Sequence, residues 1–334
     1  MGVALTAIGT YLPERILTND ELAATVDTSD DWIRSRTGIE ERRIAAPGET
    51  TSTLAVRAAR SALERRGLAP ERVELIVVAT MMPDHPFPST ACLVQHELGA
   101  TRAFAFDLSA ACSGFVYALE VAAQFVKGGS VRNALVIGSE VISRYLDWED
   151  RSTCVLFGDG AGAALLESAD AELLLGGAFR SDGSGKELLY MPAGGTAQPA
   201  TAHTVESRQH VLKMKGPELF QEVVPIVCET ILDACERTGI ALDDIRLIVP
   251  HQANVHIVEE IADSLNVPLE RFYIHLQKVG NTSAASIPLA LEEAVGQGRV
   301  EPGDYILIAG FGAGLTCGAS IIRWGDSFRR IQAS

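Results

Sequence analysis

The sequence lacks the cysteine and histidine patterns that metal sites and disulfide frameworks require. Its six cysteines include no C-x-x-C pair, and its seven histidines do not fall at zinc-ligand spacing. We therefore predict no metal site. Unpaired cysteines of this kind also favour a reduced, cytoplasmic protein.

Basic residues are few, and long apolar runs are missing. The chain has 28 Lys and Arg against 43 Asp and Glu, a net charge of −15. This balance excludes a general nucleic-acid binder, and an acidic ligand would need a local basic patch. No apolar run reaches about 18 residues, so we expect no membrane span. The start of the chain, MGVALTAIGT, lacks the basic region of a secretion signal.

The sequence contains an internal repeat at an offset of 172 residues. The matching segments are 62–78 with 234–250, 118–120 with 290–292, and 134–138 with 306–310. The longest pair is ALERRGLAPERVELIVV and ACERTGIALDDIRLIVP, and each reads as a helix end, a glycine stop and a buried strand. Three matches at one offset indicate a duplication into halves 1–170 and 171–334. Alternating strands and helices in each half predict α/β layers.

A single cysteine stands at a predicted helix start in DLSAACSGFVYALEVA, residues 107–122. A thiol at a helix N-terminus experiences about half a positive charge and unpaired N–H groups, so we expect a lowered pKa at Cys112. The small neighbouring residues would let a substrate reach the sulfur. This pattern indicates a nucleophile that forms a thioester, and the ordinary alternative is an inert buried cysteine.

Two further residues fall at related places in the second half. His251 follows the strand RLIVP, and Asn281 opens the helix segment GNTSAAS, which contains Ala284, the counterpart of Cys112 at the repeat offset. Alone, His251 could be a helix-entry histidine and Asn281 an N-cap. Together they offer donors to an oxyanion or enolate beside the thiol, because ligands bind beyond strand ends in α/β folds. That set suits carbon–carbon bond formation better than hydrolysis.

Two glycine-rich loops, in 157–167 and 308–324, superficially match nucleotide-binding motifs. A dinucleotide loop must open a helix, whereas both segments continue as strands. We interpret the glycines at 310–314 as allowing the backbone to approach the sulfur and donate an N–H group.

The chain resembles the β-ketoacyl-acyl-carrier-protein synthase III group of the thiolase superfamily. The resemblance rests on TSDDWIRSRTGIEERR, FPSTACLVQ, DLSAACSGF, DRSTCVLFGDGAGA, PHQAN, GNTSAAS and GFGAG, in that order. It implies a five-layer αβαβα thiolase-like fold, a homodimer and a catalytic triad of Cys112, His251 and Asn281. The first half would carry the cysteine, and the second the histidine and asparagine. The backbone of Cys112 and Ala313 would form the oxyanion hole.

The resemblance also implies a set of substrate contacts. Trp32 and Arg151 would sandwich the adenine of coenzyme A, and Arg36 would lie near its phosphates. Phe87 would reach across the dimer to close the acyl pocket of the partner subunit. The remaining predicted contacts to coenzyme A or the acyl chain are Gly216, Phe220 and His256.

Several positions depart from the family pattern. The family usually has Arg at His256, and it often has lysines where Gln221, Asp263 and Ser264 stand. Fewer basic residues predict weaker docking of an acidic carrier protein. The basic residues that could substitute are Lys213, Lys215 and Arg271.

The resemblance implies a priming condensing enzyme that needs no cofactor, since acyl-CoA and malonyl-acyl carrier protein are its substrates. It would perform a decarboxylative Claisen condensation that initiates fatty acid synthesis. The alternative is a related synthase or acyltransferase of specialised metabolism, with a CoA thioester or small molecule as acceptor. A non-catalytic binding protein on the same scaffold would be expected to lose a triad residue.

Overall fold

The computed structural model describes residues 2–325, and its strands and helices alternate along the chain. The first group of elements is β1 (Gly2–Tyr11), β2 (Arg15–Thr18), α1 (Asn19–Ala23), α2 (Asp30–Thr37), β3 (Glu41–Ile44), α3 (Thr51–Arg66), β4 (Leu75–Ala79), α4 (Thr90–Leu98), β5 (Phe104–Leu108), α5 (Gly114–Lys127), β6 (Asn133–Glu140), α6 (Arg151–Cys154) and β7 (Gly160–Ala169). The second group is β8 (Leu174–Ser181), β9 (Leu189–Tyr190), α7 (Ala202–Glu206), β10 (Lys213–Met214), α8 (Gly216–Thr238), β11 (Ile245–Pro250), α9 (Val255–Leu265), α10 (Ser286–Gly296), β12 (Tyr305–Gly312) and β13 (Thr316–Arg323).

Two sheets share one topology. The first has the order β1-β7-β6-β4-β5, and the second has β8-β13-β12-β11. In each sheet two antiparallel pairings, β1-β7-β6 or β8-β13-β12, are followed by a parallel one, β6 with β4 or β12 with β11. The first sheet then continues with β5, which is parallel to β4. A parallel bridge between Ile248 and Phe272 lies where β5 would add a fifth strand. The predicted duplication is therefore confirmed. The boundary at 170 stays a prediction, and residues 326–334 of the second half lie outside the described residues.

Five layers stack around three hydrophobic cores. In the central core, α5 and α10 lie between the two sheets, and they contribute Phe115, Leu119, Ile287 and Leu291 to one hydrophobic cluster. Helices α3 and α4 cover the outer face of the first sheet, and α8 and α9 cover that of the second. The predicted αβαβα fold is confirmed.

This layering explains why the central strands are apolar throughout. All five residues of β4 are buried, and they alternate between two cores, with Val77 in the central one and Ile76 in the outer one. Strands that are covered on both faces cannot show a polar side. Each buried side chain of this size contributes about 1.5–3 kcal/mol.

The segment 181–215, rich in glycine, serine and threonine, is mostly irregular. It carries the short pair β9 and β10 and the single-turn helix α7. Leu189 on β9 and Met214 on β10 line the cavity that Cys112 also lines, so this segment forms part of its cover. None of the helices within residues 2–325 combines the length and hydropathy that crossing a bilayer requires.

Candidate active site

Cys112, His251 and Asn281 line one cavity of about 660 Å³. Cys112 lies in a 3₁₀ turn, Ala111–Ser113, directly before α5. His251 follows the end of β11, and Asn281 precedes a second 3₁₀ turn, Ser283–Ala285, that leads into α10. The three residues are only 2%, 1% and 6% exposed, respectively. Tertiary folding therefore brings together the three residues that the sequence singled out.

Close packing around the thiol requires small residues. A Cβ atom on Gly312 would lie 2.7 Å from the backbone nitrogen of Cys112 and 3.0 Å from its Cβ. A Cβ on Gly310 would lie 2.8 Å from the Cα of Ser113. The glycines of the β12–β13 hairpin thus allow the backbone to approach the cysteine turn, as the sequence indicated, and the hairpin opens no helix.

The expected lowering of the Cys112 pKa is wrong for the structure as it stands. Burial raises the pKa of the thiol to about 12, and the negative charge of Glu140 acts in the same direction. A hydrogen bond to Ser283 and the backbone N–H of Cys112 itself lower this pKa, but by less. Desolvation disfavours the thiolate more than the helix start favours it, so the resting residue is a neutral thiol.

His251 is held in its neutral form. Burial lowers its pKa to about 3, and Phe311 packs edge-on against the imidazole at 5.0 Å between ring centroids. Its Nδ1 lies 2.7 Å from Oγ of Ser286, which also accepts the Gln252 N–H at 3.4 Å. The Ser286 hydroxyl has no other acceptor in the described chain, so we assign its proton to Nδ1 and the imidazole proton to Nε2.

Asn281 is oriented by its backbone and by its own carbonyl. Its N–H donates to Leu156 O at 2.8 Å, and its backbone carbonyl accepts the Gly158 N–H at 3.0 Å. Its side-chain Oδ1 accepts the N–H of Ser283 at 2.9 Å. The amide group Nδ2, which has no partner within residues 2–325, is the donor that remains for the cavity.

The predicted substrate contacts divide into two groups. Arg36, Gly216, Phe220 and His256 line the cavity together with the three central residues. Trp32 and Arg151 lie outside its wall, and the Arg151 guanidinium stacks on the Trp32 ring at 4.6 Å from the ring centroid. Arg151 Nη1 also donates to Asp27 O at 2.6 Å. This direct stacking leaves no room for a purine between the two side chains, so a sandwiched adenine requires Arg151 to move.

His256 joins two helices at the cavity mouth. Its Nε2 lies 2.9 Å from Ser35 O in α2, and its Nδ1 lies 2.8 Å from Oε2 of Glu259. Both partners are acceptors, so both ring nitrogens donate in the imidazolium form. The carbonyl of Ser35, and then Glu259, raise the pKa of His256. These contacts favour the positively charged imidazolium at this position.

Three other predicted residues, Phe87, Ala313 and Arg271, do not line the cavity. Phe87 is 84% exposed on the surface. Ala313 packs against the hydrophobic cluster that contains Phe157 and does not line the cavity, whereas Gly312 does. Arg271 donates to the carbonyls of Leu242 and Ile245. Its guanidinium is thus occupied by the backbone, and the suggestion that Arg271 replaces a docking lysine is wrong.

Sequence reasoning missed three side chains around the site. Ser286 supports His251, and Ser283 donates to the buried carboxyl group of Glu140. Both serines fall within the GNTSAAS motif, which gave no signal beyond its asparagine. At the repeat offset Glu140 corresponds to Gly312, which lies in the glycine-rich loop beside the thiol. This correspondence is the one feature of the sequence that connects Glu140 with the site. Within residues 2–325, no cluster of His, Cys, Asp and Glu side chains is arranged to hold a metal ion.

Comparisons with known proteins agree with this architecture. Residues 106–183 match the family model described as 3-oxoacyl-[acyl-carrier-protein (ACP)] synthase III, and residues 235–324 match the model of its C-terminal part. A β-ketoacyl-[acyl-carrier-protein] synthase III from Caldanaerobacter subterraneus subsp. tengcongensis is 49% identical over 325 residues, covering 97% of this chain and 98% of the relative.

Solved structures show the same similarity. The 3-oxoacyl-[acyl-carrier-protein] synthase III of Aquifex aeolicus VF5 has a TM-score of 0.89 and 46% identity, covering 97% of this chain and all of the other. The synthase III of Pseudomonas aeruginosa PAO1 has a TM-score of 0.90 and 42% identity, with 98% and 99% covered. The resemblance drawn from the motifs is confirmed. The chain belongs to the β-ketoacyl-[acyl-carrier-protein] synthase III family of condensing acyltransferases.

Proposed function

We propose that this protein joins an acyl-CoA primer to malonyl-acyl carrier protein by decarboxylative Claisen condensation, the step that initiates fatty acid synthesis. The supporting observation is that a thiol and two neutral hydrogen-bond donors, from Cys112, His251 and Asn281, line one largely apolar cavity. The specialised-metabolism alternative is not favoured, because relatives aligned over nearly the whole chain are named β-ketoacyl-acyl-carrier-protein synthase III.

Acylation comes first. The sulfur of Cys112 attacks the thioester carbonyl of acyl-CoA, and the bond between that carbonyl and the coenzyme A sulfur breaks. The backbone N–H groups of Cys112 and Ala313 are the proposed donors to the tetrahedral oxyanion, at a point where Gly312 allows close backbone approach. The product is a thioester on Cys112, and coenzyme A leaves as a thiol that carries the proton lost by Cys112.

The second step is the condensation, which takes place beside His251 and Asn281. The malonyl carboxylate leaves as carbon dioxide, and its bonding electrons form an enolate on the thioester. His251 Nε2 and Asn281 Nδ2 would donate to the enolate oxygen. A neutral imidazole suits this task, because it stabilises the developing charge without surrendering its proton. The enolate carbon then attacks the acyl group, and Cys112 leaves as a thiolate that is reprotonated.

The cavity mouth is the proposed coenzyme A site. Arg36 would face its phosphates, Trp32 and Arg151 would hold the adenine once Arg151 has moved, and Gly216, Phe220 and His256 would contact the pantetheine or acyl chain. Both substrates arrive as activated thioesters, so the proposed chemistry uses no cofactor. We place this activity in the cytoplasm.

A homodimer is part of the proposal. Strand β5 is an edge strand of its sheet, and Phe104 at its start is 45% exposed, with the Phe125 ring 5.5 Å away. Unpaired edges with exposed aromatics are sites of association, and pairing of two β5 strands would join the sheets of two subunits. Phe87, at 84% exposure, would then enter the partner's acyl pocket.

The decisive experiment separates the two half-reactions. We would incubate the protein with a panel of acyl-CoAs and measure the mass of the intact chain, with the adduct located to Cys112 by peptide mapping. Malonyl-acyl carrier protein or malonyl-CoA would then be added and the β-ketoacyl product measured. Failure to acylate with any member of the panel, or acylation without a condensation product, would contradict the proposal.

A further inference from the structure

A pair of hydroxyl groups joins the two segments that carry the proposed oxyanion donors. Ser113 directly follows Cys112 in the cysteine turn. Thr316 begins β13, three residues after Ala313. The Ser113 Oγ and Thr316 Oγ1 atoms are 2.7 Å apart. Neither residue lines the cavity that Cys112 lines, so both lie outside the space that a substrate would occupy.

The Thr316 hydroxyl also reaches a backbone carbonyl on each segment. Its Oγ1 lies 3.0 Å from the carbonyl oxygen of Ala110, directly before the cysteine turn, and 3.1 Å from that of Ala313 in the hairpin. The Ser113 Oγ lies 2.7 Å from the same Ala110 oxygen. Two hydroxyl oxygens at 2.7 Å have a proton between them. A hydrogen bond therefore joins Ser113 to Thr316, whichever of the two donates.

Backbone packing alone does not fix how the two segments sit against each other. The absence of side chains at Gly310 and Gly312 lets β12 approach Ser113 and Cys112, because a Cβ on either glycine would lie within 2.8 Å of the cysteine turn. Contact repulsion sets only the closest approach of two segments. A directional hydrogen bond in addition opposes their separation and their sliding, and the hydroxyl pair supplies that restraint at this junction.

An oxyanion hole built from two distant segments needs such a restraint. Its donors act only when they lie about 2.7–3.1 Å from the place where the oxyanion forms. Ser113 and Thr316 are 203 residues apart in the chain, so no local turn holds the two donor segments in register. A misplacement of about 1 Å at a reacting group can cost roughly 10²-fold in rate.

We infer that Ser113 and Thr316 are positioning residues that fix the separation of the two oxyanion donors, the backbone N–H groups of Cys112 and Ala313. The inference rests on the proposed function and concerns its acylation step. Thr316 is the principal member, because its contacts with Ser113 and with the Ala110 carbonyl both cross between the segments. Ser113 makes only one of these two links.

Two reactions of the same thiol test this role. We would measure single-turnover acylation of Cys112 by saturating acyl-CoA and alkylation of Cys112 by iodoacetamide, both by intact mass. In alkylation the sulfur displaces iodide from a saturated carbon, so no tetrahedral oxyanion forms and the oxyanion hole is not used. The variants are Thr316→Val, which keeps the side-chain shape and removes both links, Ser113→Ala, which removes one, and Thr316→Ser, which keeps the hydroxyl.

The expected effects are graded. Thr316→Val should acylate about 10²-fold more slowly than the wild type, with the half-saturating acyl-CoA concentration and the alkylation rate unchanged. Ser113→Ala should acylate about tenfold more slowly, because the link from Thr316 to Ala110 remains. Thr316→Ser should stay close to the wild type. The double variant should be no slower than Thr316→Val, since that change already removes the partner of the Ser113 hydroxyl.

A matched variant controls for the loss of a buried hydroxyl. Thr6, on β1, is buried and donates to Leu165 O at 3.3 Å, so Thr6→Val should leave both rates at Cys112 unchanged. Acylation at the wild-type rate in Thr316→Val, or an equal fall in acylation and alkylation, overturns the inference. So does a Thr316→Ser variant as slow as Thr316→Val, because the methyl group would then be the important part.

The outcome stays decisive if one variant fails to fold. Ser113→Ala then replaces Thr316→Val, and a wild-type acylation rate in Ser113→Ala overturns the inference. Failure of the proposed function has a different signature, because it shows in the wild type. A wild-type protein that iodoacetamide alkylates but that accepts no acyl group contradicts the proposed function, and the inference falls with it.

Discussion

Ala111 and Ser283, 172 residues apart, adopt the same left-handed backbone conformation, with φ of 47° and 50°. Each opens a 3₁₀ turn that leads into a central helix, α5 or α10. Residues other than glycine rarely adopt this conformation, so its presence at equivalent positions preserves the geometry of the duplicated unit. One copy of the turn presents the thiol of Cys112, and the other presents the Ser283 hydroxyl, which donates to the buried carboxyl group of Glu140.

Replacing the nucleophile should abolish the acyl-enzyme. We expect Cys112→Ser to fold normally and to carry no acyl group after incubation with acyl-CoA, because a buried serine hydroxyl is a far weaker nucleophile than a thiolate. The measurement is intact mass, with the fold checked by circular dichroism. Cys317→Ser, at another buried free cysteine, is the control that should still be acylated. An adduct of unchanged yield on Cys112→Ser would remove Cys112 from its proposed role.

The cavity asparagine should affect the second half-reaction. Asn281→Ala removes the Nδ2 donor, and losing one such donor costs about 3–4 kcal/mol of transition-state stabilisation, or roughly 10²–10³-fold in rate. We expect Cys112 acylation to continue and malonyl decarboxylation to fall by this factor, measured as release of labelled carbon dioxide. Decarboxylation at the wild-type rate would reduce Asn281 to a structural role at the turn.

The glycine beside the thiol should not tolerate a methyl group. In Gly312→Ala the added Cβ would lie 2.7 Å from a backbone nitrogen, which cannot move aside as a flexible side chain could. Overpacking of this kind costs about 1–3 kcal/mol, so we expect a lower free energy of unfolding and a strong loss of acylation. Gly296→Ala, in α10 with open space around its Cβ position, is the control and should be close to neutral in both assays.

Carrier-protein use should depend on the charge of His256. The raised pKa of this residue means that its positive charge is present at lower pH and is lost as pH rises through the folded-state value. We therefore expect kcat/KM for malonyl-acyl carrier protein, relative to malonyl-CoA, to fall with rising pH.

His256→Arg should raise that ratio at low salt and remove its pH dependence, because complementary charge mainly speeds encounter and salt screens it. His203→Arg, on the exposed helix α7, is the charge-matched control. A carrier preference in the wild type that falls steeply with salt and is unchanged in His256→Arg would show that another basic patch guides docking.

Buried Glu140 should make stability depend on pH. Its folded-state pKa of about 8 lies above the unfolded value, so the folded state binds more protons between these two pKa values. Stability therefore falls as pH rises through this range. The Glu140→Gln variant cannot bind this proton. Its free energy of unfolding should therefore rise relative to that of the wild type between pH 5 and 9, by on the order of a few kcal/mol. Parallel urea titrations at each pH measure the difference, and a constant difference would contradict the raised pKa.

The sequence by itself predicted α/β layers, a duplicated unit and the three residues at its centre, whereas the five-layer order followed from the family resemblance. Continuous apolar runs such as LIVVA are typical of strands that are covered on both faces, and a repeat at one offset indicates two similar units. Cys112, His251 and Asn281 were identified because each follows or opens an element, and equivalent ends of related elements converge. These features depend on local periodicity and on chain order, which a sequence records directly.

Tertiary structure decided the protonation states and the supporting contacts. The helix start at Cys112 predicted a lowered pKa, but burial reversed the direction, and burial depends on what the whole chain packs over the sulfur. Glu140 and Ser283 are 143 residues apart, and no local pattern links the two positions to each other. The sequence left Arg271 as a candidate docking residue, whereas in the fold its guanidinium donates to backbone carbonyl groups. Desolvation and long-range hydrogen bonds arise only when distant segments meet, so no window of sequence contains them.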